Sequence, residues 1–183
     1  MQRINVIGTS GSGKSTFSKE LAQSLGYPYI QLDQLYWLPN WQEPDDTVFL
    51  PKIEAALRPN AWVLDGNYKR TTPIKWRNVD TVIWLDYSFS ITVWRACKRA
   101  INRIVSKKEL WSNTGNVETL GRLFSKESVV GWTIKTHHSN RWRYQAIMKD
   151  PKFQRITFYH LRSPEAARRF LDSVAQSEVI DGL

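Results

Sequence analysis

A turn near the start of the chain limits the fold more than any other feature of the sequence. Its first eight residues, Gly8 to Ser15, match the pattern G-x-x-x-x-G-K-[ST] in full. The apolar run Arg3 to Ile7 before it predicts a buried strand. An amphipathic helix is predicted after it, with Phe17, Leu21 and Leu25 on the buried face and an end at Gly26. This succession of strand, turn and helix favours an α/β fold.

The composition of the turn suits the binding of a phosphate chain. Glycines let successive backbone N–H groups approach phosphate oxygens, and the helix that follows adds the positive end of its dipole. Lys14 is expected to bridge the β- and γ-phosphates of a nucleoside triphosphate. Ser15, together with Asp65 at the end of a predicted strand, is expected to bind Mg²⁺. The expected nucleotide-binding residues of the turn are Gly8, Thr9, Ser10, Gly11, Ser12, Gly13, Lys14, Ser15 and Thr16.

Strand and helix patterns alternate along the rest of the chain. Further strands are predicted at Tyr29 to Leu32, Trp62 to Leu64, Thr81 to Leu85 and Arg155 to Leu161. Helices are predicted at about 49 to 57, 90 to 105 and 129 to 148, with a last helix that begins at Ser163-Pro164. The alternation predicts one three-layer α/β/α domain over residues 1–183, with five parallel strands. Residues 106–128 are polar and lack a period, which predicts a mobile insertion.

The excess positive charge lies in one segment of the chain. The whole chain has 26 Lys and Arg against 17 Asp and Glu, and residues 91–149 hold 12 of the former and 3 of the latter. The other residues therefore carry 14 of each and are formally neutral. Such a segment suits either a nucleoside triphosphate or the backbone of a nucleic acid, and charge alone does not separate the two.

Several classes of protein are disfavoured by what the sequence lacks. No apolar run approaches the roughly 18 residues that span a bilayer, and the first strand starts too early for a signal peptide, so we expect a cytoplasmic protein without membrane contact. Cys97 is the only cysteine, which excludes an internal disulfide and a multi-thiolate metal site. His137 and His138 lack a metal-ligand pattern and are predicted to lie on the surface. No pattern indicates an oligomeric state.

With these motifs the sequence resembles the adenylate kinase-like branch of the P-loop kinases, and more specifically small bacterial proteins described as topology modulation (FlaR-like) proteins. The resemblance covers nearly the whole chain. It implies a sheet order of 2-3-1-4-5, ATP and Mg²⁺ as ligands, an acceptor-binding segment at about 33–60 and a helical, basic lid insertion at about 104–145. Besides the turn, it rests on Leu32-Asp33, Tyr36-Trp37, Leu64-Asp65-Gly66-Asn67-Tyr68 with Arg70, Trp84-Leu85-Asp86 and His160-Leu161-Arg162-Ser163-Pro164.

The resemblance also implies a site for the phosphoryl acceptor. Asp33 corresponds to an acidic position that could orient or deprotonate an acceptor hydroxyl, although a helix N-cap or a turn is an equal alternative. Tyr36 stands where related kinases carry an arginine that binds a monophosphate, which argues against AMP as the acceptor. Trp37, Trp41 and Trp111 fall in predicted loops and could line a pocket. The expected acceptor contacts are Asp33, Tyr36, Trp37, Asn67, Tyr68, Arg70, Arg122 and Arg141.

The predicted helix at 90–105 is expected to bring arginines to the nucleotide. Its apolar residues Val93, Trp94, Cys97, Ile101 and Ile104 lie within one stripe, predicted to be buried, whereas Arg95, Arg99 and Arg103 recur on another face. The resemblance implies that Arg99 and Arg103 neutralise the transferring phosphoryl group and that Arg95 contacts the nucleotide. Arg143 is a further lid candidate, and Ser163 and Pro164 are expected near adenine.

Three functions are consistent with these patterns. The leading hypothesis is a kinase that transfers the γ-phosphoryl group of ATP to a small acceptor, with Lys14, Asp33, Arg99 and Arg103 as catalytic residues. The alternative is an ATP-binding factor associated with nucleic acid or DNA topology, for which no helix-turn-helix, zinc-finger or RNA-binding signature is present. A third is a nucleotide-binding module without turnover, which the carboxylates and arginines make less attractive.

Overall fold

The computed structural model describes residues 1–111, 114–123, 125 and 128–181, with 178–181 described by their backbone alone. Its strands are β1 (Arg3–Gly8), β2 (Tyr29–Gln31), β3 (Trp62–Asp65), β4 (Thr81–Leu85) and β5 (Thr157–Leu161). They form a parallel five-stranded sheet in the order β2-β3-β1-β4-β5, which confirms the expected topology. The helices are α1 (Lys14–Leu25), α2 (Leu32–Tyr36), α3 (Asp46–Ala56), α4 (Thr72–Lys75), α5 (Phe89–Ser106), α6 (Leu120–Leu123), α7 (Val129–Met148) and α8 (Pro164–Asp181).

The sheet is covered by helices on both faces, so that almost every side chain of its central strands β1, β3 and β4 is buried. On one face, Phe17 and Leu21 of α1 pack with Ala167 of α8. On the other face, Phe49 and Ile53 of α3 lie in a second cluster. That cluster also contains Trp62, Trp76, Trp84 and Tyr144. The predicted three-layer α/β/α architecture is confirmed, since burial on both faces is typical of strands in a parallel sheet.

Local signals set the ends of several helices as predicted. Gly26 ends α1 in the left-handed conformation and donates its N–H to carbonyls of the last turn. The Ser163 hydroxyl accepts a hydrogen bond from the N–H of Ala166 and so caps α8. The short helices α2 and α4 have no counterpart among the predictions. Leu32 was assigned to the second strand, and it instead begins α2.

The buried face of α5 differs from the prediction. Trp94 is 62% exposed and Ile101 is 55% exposed, whereas Thr92, Ala96 and Ala100 are buried. Small side chains are needed on the inner face because α5 packs directly against the glycine-rich turn, where Gly11 lies beside Thr92 and Ala96. Trp94 and Ile101 therefore point outward, whereas Val93, Cys97 and Ile104 are half-buried, so the apolar stripe lies beside the buried face rather than on it.

His137 is a second correction. The side chain was predicted to be exposed, but it is only 3% exposed, and its Nε2 lies 3.1 Å from the carbonyl oxygen of Tyr87. Its neighbour His138 is exposed and stacks on Phe89. The two histidines therefore join α7 to the start of α5. Within the described residues, no helix is both long enough and apolar enough to cross a bilayer.

Candidate active site

The candidate site lies at the carboxyl ends of the central strands. The register pairs Val6 of β1 with Asp65 of β3, and Gly8 of β1 with Leu85 of β4. Because the strands are parallel, the turn after β1 and the carboxylate at the end of β3 emerge at the same edge of the sheet. This is the edge at which open α/β folds bind their ligands.

Gly11 lets the turn after β1 approach α5 closely. Its φ of 86° is in the left-handed region, and a Cβ at this position would lie 2.5 Å from the carbonyl oxygen of Thr92 and 3.0 Å from the Cβ of Ala96. Only glycine meets both requirements. The backbone of the turn is therefore held between β1, α1 and α5.

Lys14 is the first residue of α1, and its amine lies near a backbone carbonyl oxygen and two carboxylates. The Lys14 Nζ donates a hydrogen bond of 3.4 Å to the carbonyl of Thr9. Burial lowers the pKa of Lys14, and the nearby carboxylates of Asp65 and Asp33 oppose that change. Asp33 and Asp65 therefore both act electrostatically on this amine, as expected of one site.

Asp65 is a buried carboxylate beside Ser15. Burial raises the pKa of Asp65, whereas Lys14, the Ser15 hydroxyl and the Tyr29 hydroxyl lower it. Tyr29 donates a hydrogen bond of 3.3 Å to the Asp65 Oδ2. These neighbours offset burial only in part, and the charge of Asp33 adds to its effect, so the pKa of Asp65 stays above its usual value. A bound cation would favour the ionised carboxylate.

A cavity of about 610 Å³ opens above the turn and suits a nucleoside triphosphate. The buried Ser12 Oγ has no hydrogen-bond partner there, although a buried hydroxyl normally has one. Among the described residues, no group of three His, Cys, Asp or Glu side chains is arranged to bind a metal ion. A metal held by Ser15 and Asp65 would therefore need phosphate oxygens as well. The cavity is lined by Gly11 to Phe17, Glu20, Tyr87, Arg95, Arg99, Arg103, Pro164, Ala167, Arg168 and Leu171.

The arginine row of α5 faces this cavity. Arg99 donates a hydrogen bond of 2.8 Å from Nη2 to the Ser10 Oγ, and the Arg95 guanidinium lies 5.3 Å from the centre of the Tyr87 ring. Burial, followed by the charge of Arg99, lowers the pKa of Arg103 to about 10, while Glu118 and Asp33 oppose the change. The row brings concentrated positive charge to the cavity, which suits an anionic ligand.

Asp33 lies in the first turn of α2 and is held by a tyrosine. The Tyr68 hydroxyl donates a hydrogen bond of 2.8 Å to the Asp33 Oδ1. Burial and the charge of Asp33 raise the pKa of Tyr68, so the phenol keeps its proton. A Cβ on Gly66 would lie 2.7 Å from the Cβ of Leu32, so this glycine lets α2 approach the end of β3.

The loop between Gly66 and Tyr68 is supported by a buried polar network. Asn5 donates from Nδ2 to the carbonyls of Leu64 and Gly66, at 3.1 and 3.0 Å. Trp76 donates from Nε1 to the Asn5 Oδ1 at 2.8 Å. The Lys75 Nζ lies 3.5 Å from the carbonyl oxygen of Gly66 and 3.4 Å from that of Tyr68. The network fixes the loop that orients Asp33.

The other predicted acceptor residues have various partners. Arg70 forms an ion pair of 3.1 Å with Asp46, and its guanidinium lies 5.1 Å from the centre of the Tyr36 ring. Asn67 donates a hydrogen bond of 2.6 Å to the hydroxyl of Tyr144 on α7. Burial raises the pKa of Tyr36 to about 12. The Tyr36 ring in turn lies 4.7 Å from that of Tyr68, which holds Asp33, whereas Asn67 is joined to α7.

The last predicted residues lie in different parts of the molecule. Arg141 forms an ion pair of 3.1 Å with the buried Asp86, which also lies 2.8 Å from the His160 Nε2. Arg122 lies over the Trp41 ring, and Arg143 donates to the Tyr144 hydroxyl at 2.8 Å. Arg141 therefore contacts the ends of β4 and β5. Arg122, on α6, instead packs against Trp41 of the predicted acceptor segment.

Three tryptophans and one asparagine join the predicted lid (about 104–145) to the predicted acceptor segment (about 33–60); we call them the tryptophan cluster (Trp37, Trp41, Trp111 and Asn116). The Trp37 and Trp111 rings stack with centres 5.9 Å apart, and the Trp41 ring meets both edge to face at 5.5 Å. The Asn116 Nδ2 donates to the carbonyl of Leu38, and its Oδ1 accepts from the N–H of Trp41, each at 2.9 Å. Residues 112, 113, 124, 126 and 127 of the predicted mobile insertion lie outside the described residues.

Comparison with known proteins supports the fold assignment. No protein-family model and no curated protein matches the chain. A shikimate kinase from Acinetobacter baumannii in complex with shikimate matches with a TM-score of 0.52 and 15% identity, over 100% of this chain and 96% of that one. A deoxyadenosine kinase from M. mycoides with bound dATP matches with a TM-score of 0.50 and 15% identity, over 93% and 97%. A gluconokinase from Sinorhizobium meliloti 1021 has a TM-score of 0.47 and 18% identity, over 100% and 98%.

This chain has the fold of the P-loop kinases. The sheet order and the shikimate kinase match carry that conclusion. At these identities the likeness extends to the fold alone, and the further resemblance to topology modulation proteins remains a prediction.

Some residues of the site had no signal in the sequence. Asn116 belonged to a polar cluster typical of a loop, and Glu118, which influences Arg99 and Arg103, had no motif around it. Tyr29 opens a strand, where a tyrosine is ordinarily assigned to packing. The position of Tyr29 beside Asp65 depends on the register of β2 against β3, which pairs Gln31 with Asp65. The sequence does not show that register.

Proposed function

We propose that this chain is a kinase that transfers the γ-phosphoryl group of ATP to a hydroxyl group of a small molecule. The observation that carries the proposal is the convergence of Asp33 and Asp65 on Lys14, at the edge where the glycine-rich turn opens into the large cavity. One carboxylate lies beside Ser15 and the other is held by Tyr68. A cytoplasmic location, where ATP is plentiful, is part of the proposal.

The transfer itself needs little covalent chemistry from the protein. A bond forms between the acceptor oxygen and the γ-phosphorus, and the bond from that phosphorus to the β,γ-bridging oxygen breaks, so that ADP leaves. Asp33 would orient the acceptor hydroxyl and take its proton. Because Tyr68 donates to the Asp33 Oδ1, the Oδ2 would be the oxygen left for the acceptor hydroxyl.

Positive charge would stabilise the transferring group. Lys14 would bridge the β- and γ-phosphates, and Arg99 and Arg103 would approach the γ-phosphoryl oxygens from α5. Ser15 and Asp65 would hold Mg²⁺, which neutralises phosphate charge when bound. Pro164 and Arg168, from α8, also line the cavity and would lie beside the base.

The decisive experiment measures ATP-dependent phosphorylation across a panel of hydroxyl compounds. The wild-type chain is expected to form ADP in proportion to a phosphorylated product. Lys14→Ala is expected to abolish that reaction while its circular dichroism and unfolding temperature stay close to those of the wild type. Equal turnover in the variant would refute the proposal.

A second candidate function is binding of nucleic acid. A groove of about 430 Å³ along α5, shared in part with the nucleotide cavity, favours it. Salt-titrated DNA binding tests this function, because contacts with phosphates lose affinity steeply as salt rises. Absence of binding near physiological salt would remove this candidate. The groove along α5 is lined by Arg95, Lys98, Arg99, Asn102, Arg103, Ser106 and Lys108.

A further inference from the structure

Glu118 has a buried carboxylate to which the proposed reaction assigns no part. The side chain is 4% exposed, and its Oε2 has no hydrogen-bond partner. A buried carboxylate oxygen loses its hydration, and leaving it without a donor is costly. An unpartnered buried oxygen of this kind is accounted for if a ligand brings the donor.

The tryptophan cluster holds Glu118 beside the acceptor segment. Asn116, two residues earlier, is hydrogen-bonded to the backbone of Leu38 and Trp41. Two residues of extended chain span at most about 7 Å, so Glu118 stays close to that contact. The segment in turn follows α2 directly, and the N–H of Trp37 donates to the carbonyl of Asp33. The lid and the segment that carries Asp33 are therefore joined.

Glu118 and Asp33 both act electrostatically on the same two arginines, Arg99 and Arg103. Burial lowers the pKa of Arg99, and Asp33 and then Glu118 oppose the change. Glu118 and Asp33 oppose the lowering of the pKa of Arg103 in the same way. Two carboxylates, one from the lid and one from α2, thus act on the guanidinium groups that face the phosphates.

A bound triphosphate would engage those arginines, and Glu118 would then need a different partner. We infer that Glu118 binds the acceptor together with Asp33, and that the acceptor is an uncharged or cationic compound with several hydroxyl or amino groups. The inference rests on the proposed kinase function. An acceptor that carries a carboxylate or phosphate would be repelled by two carboxylates and by the γ-phosphate together.

The pairing of Arg70 supports the same class of acceptor. This arginine follows Tyr68 closely in the chain and would be the natural partner of an anionic acceptor. It is instead paired with Asp46 and lies against the rings of Tyr36 and Phe49. An anion would have to break that ion pair before it could use the guanidinium.

The first test is a binding screen in which the charge of the acceptor is varied on a fixed skeleton. Unfolding temperature is measured with Mg²⁺ and a non-hydrolysable ATP analogue in the presence of glucose, glucosamine, gluconate or glucose 6-phosphate. Adenosine, AMP and a wider set of neutral, cationic and anionic hydroxyl compounds extend the series. Stabilisation by neutral or cationic compounds is expected. The inference would be overturned if no neutral or cationic compound stabilised the protein, including the case in which only anionic compounds did.

The second test compares Glu118→Gln with Glu54→Gln, which removes a carboxylate from an exposed ion pair with Arg77. With the strongest-binding acceptor, Glu118→Gln is expected to raise the acceptor KM about tenfold or more, and to raise it far more than the KM for ATP. Glu54→Gln is expected to change neither constant by more than about twofold. Equal increases in both constants for Glu118→Gln would show that Glu118 only supports the arginines, which would overturn the inference.

The controls separate failure of this inference from failure of the proposed function. The ATP analogue alone, with Mg²⁺, is expected to raise the unfolding temperature. No shift with the analogue would refute the kinase proposal and the inference with it. A shift with the analogue, followed by phosphorylation of an anionic acceptor alone, would uphold the kinase and overturn the assignment of Glu118.

Discussion

The proposed nucleotide side and the proposed acceptor side of the site are built in different ways. The nucleotide side is one continuous stretch of backbone, from Gly8 to Thr16, to which α5 adds arginines. The acceptor side is assembled from side chains of α2, the loop after β3 and the lid, joined by the tryptophan cluster. A ligand site made of backbone is encoded within a few residues, whereas one made of distant side chains depends on tertiary contacts.

The largest effect is expected from a substitution at Gly11, in the backbone turn that forms the proposed nucleotide side. Gly11→Ala adds a Cβ that would collide with Thr92 and Ala96, so we expect the free energy of unfolding to fall by about 3 kcal/mol or more. Gly26→Ala is the matched control, since Gly26 also has a positive φ but has open space at the Cβ position. Its expected cost is about 1 kcal/mol. Equal losses in urea denaturation would show that the close approach of α5 is unimportant.

The tryptophan cluster is tested by removal of the Asn116 amide. Asn116→Ala leaves the carbonyl of Leu38 and the N–H of Trp41 without partners, at a cost of about 1–3 kcal/mol in local opening. Amide exchange in residues 107–119 should therefore accelerate, whereas exchange in β1 and β4 should change little. Asn140→Ala on α7 serves as the control. Uniform acceleration across the sheet would contradict a contact that acts locally.

Lys75, whose amine contacts the loop from Gly66 to Tyr68, gives a prediction about how stability depends on pH. Burial, followed by the charge of Arg143, lowers the pKa of Lys75 to about 7 from a usual value of 10.5. Between those values the unfolded chain binds more protons than the folded chain, so Lys75 makes the free energy of unfolding rise with pH. The slope is at most about 1.4 kcal/mol per pH unit.

Comparison with a variant isolates that contribution. Lys75→Met should remove the rise between pH 7.5 and 9.5, whereas Lys52→Met, at an exposed position on α3, should keep it. Denaturant titrations across this range provide the measurement. Parallel curves for wild type and Lys75→Met would show that the Lys75 amine is charged in the folded protein at neutral pH.

The smallest effect is expected on the outer face of α5. Trp94→Gln should change the free energy of unfolding by no more than about 0.5 kcal/mol, because the indole is mostly exposed. Ala96→Gln should destabilise the protein strongly, because the larger side chain meets Gly11. A larger loss for Trp94→Gln than for Ala96→Gln would restore the face that the apolar stripe indicated.

Local patterns predicted much of the fold and part of the site. β4 and α7 have the predicted bounds, because each is a continuous pattern with clear ends. The α5 assignment failed on its buried face, since the small residues Thr92, Ala96 and Ala100 carry no apolar signal and are selected by contact with the turn. Asn116 could not have been identified, because the Leu38 and Trp41 groups that it contacts are more than 70 residues away in sequence. Glu118 has no motif around it, and its effect on Arg99 and Arg103 depends on tertiary structure.

Titration calorimetry of ATP with Mg²⁺ tests the central claim most directly. The account predicts binding in the micromolar to millimolar range, weakened by a factor of ten or more in Lys14→Ala and dependent on the metal. Heats that are absent in the wild-type protein, or identical in Lys14→Ala, would contradict the claim that the turn from Gly8 to Thr16 binds a triphosphate.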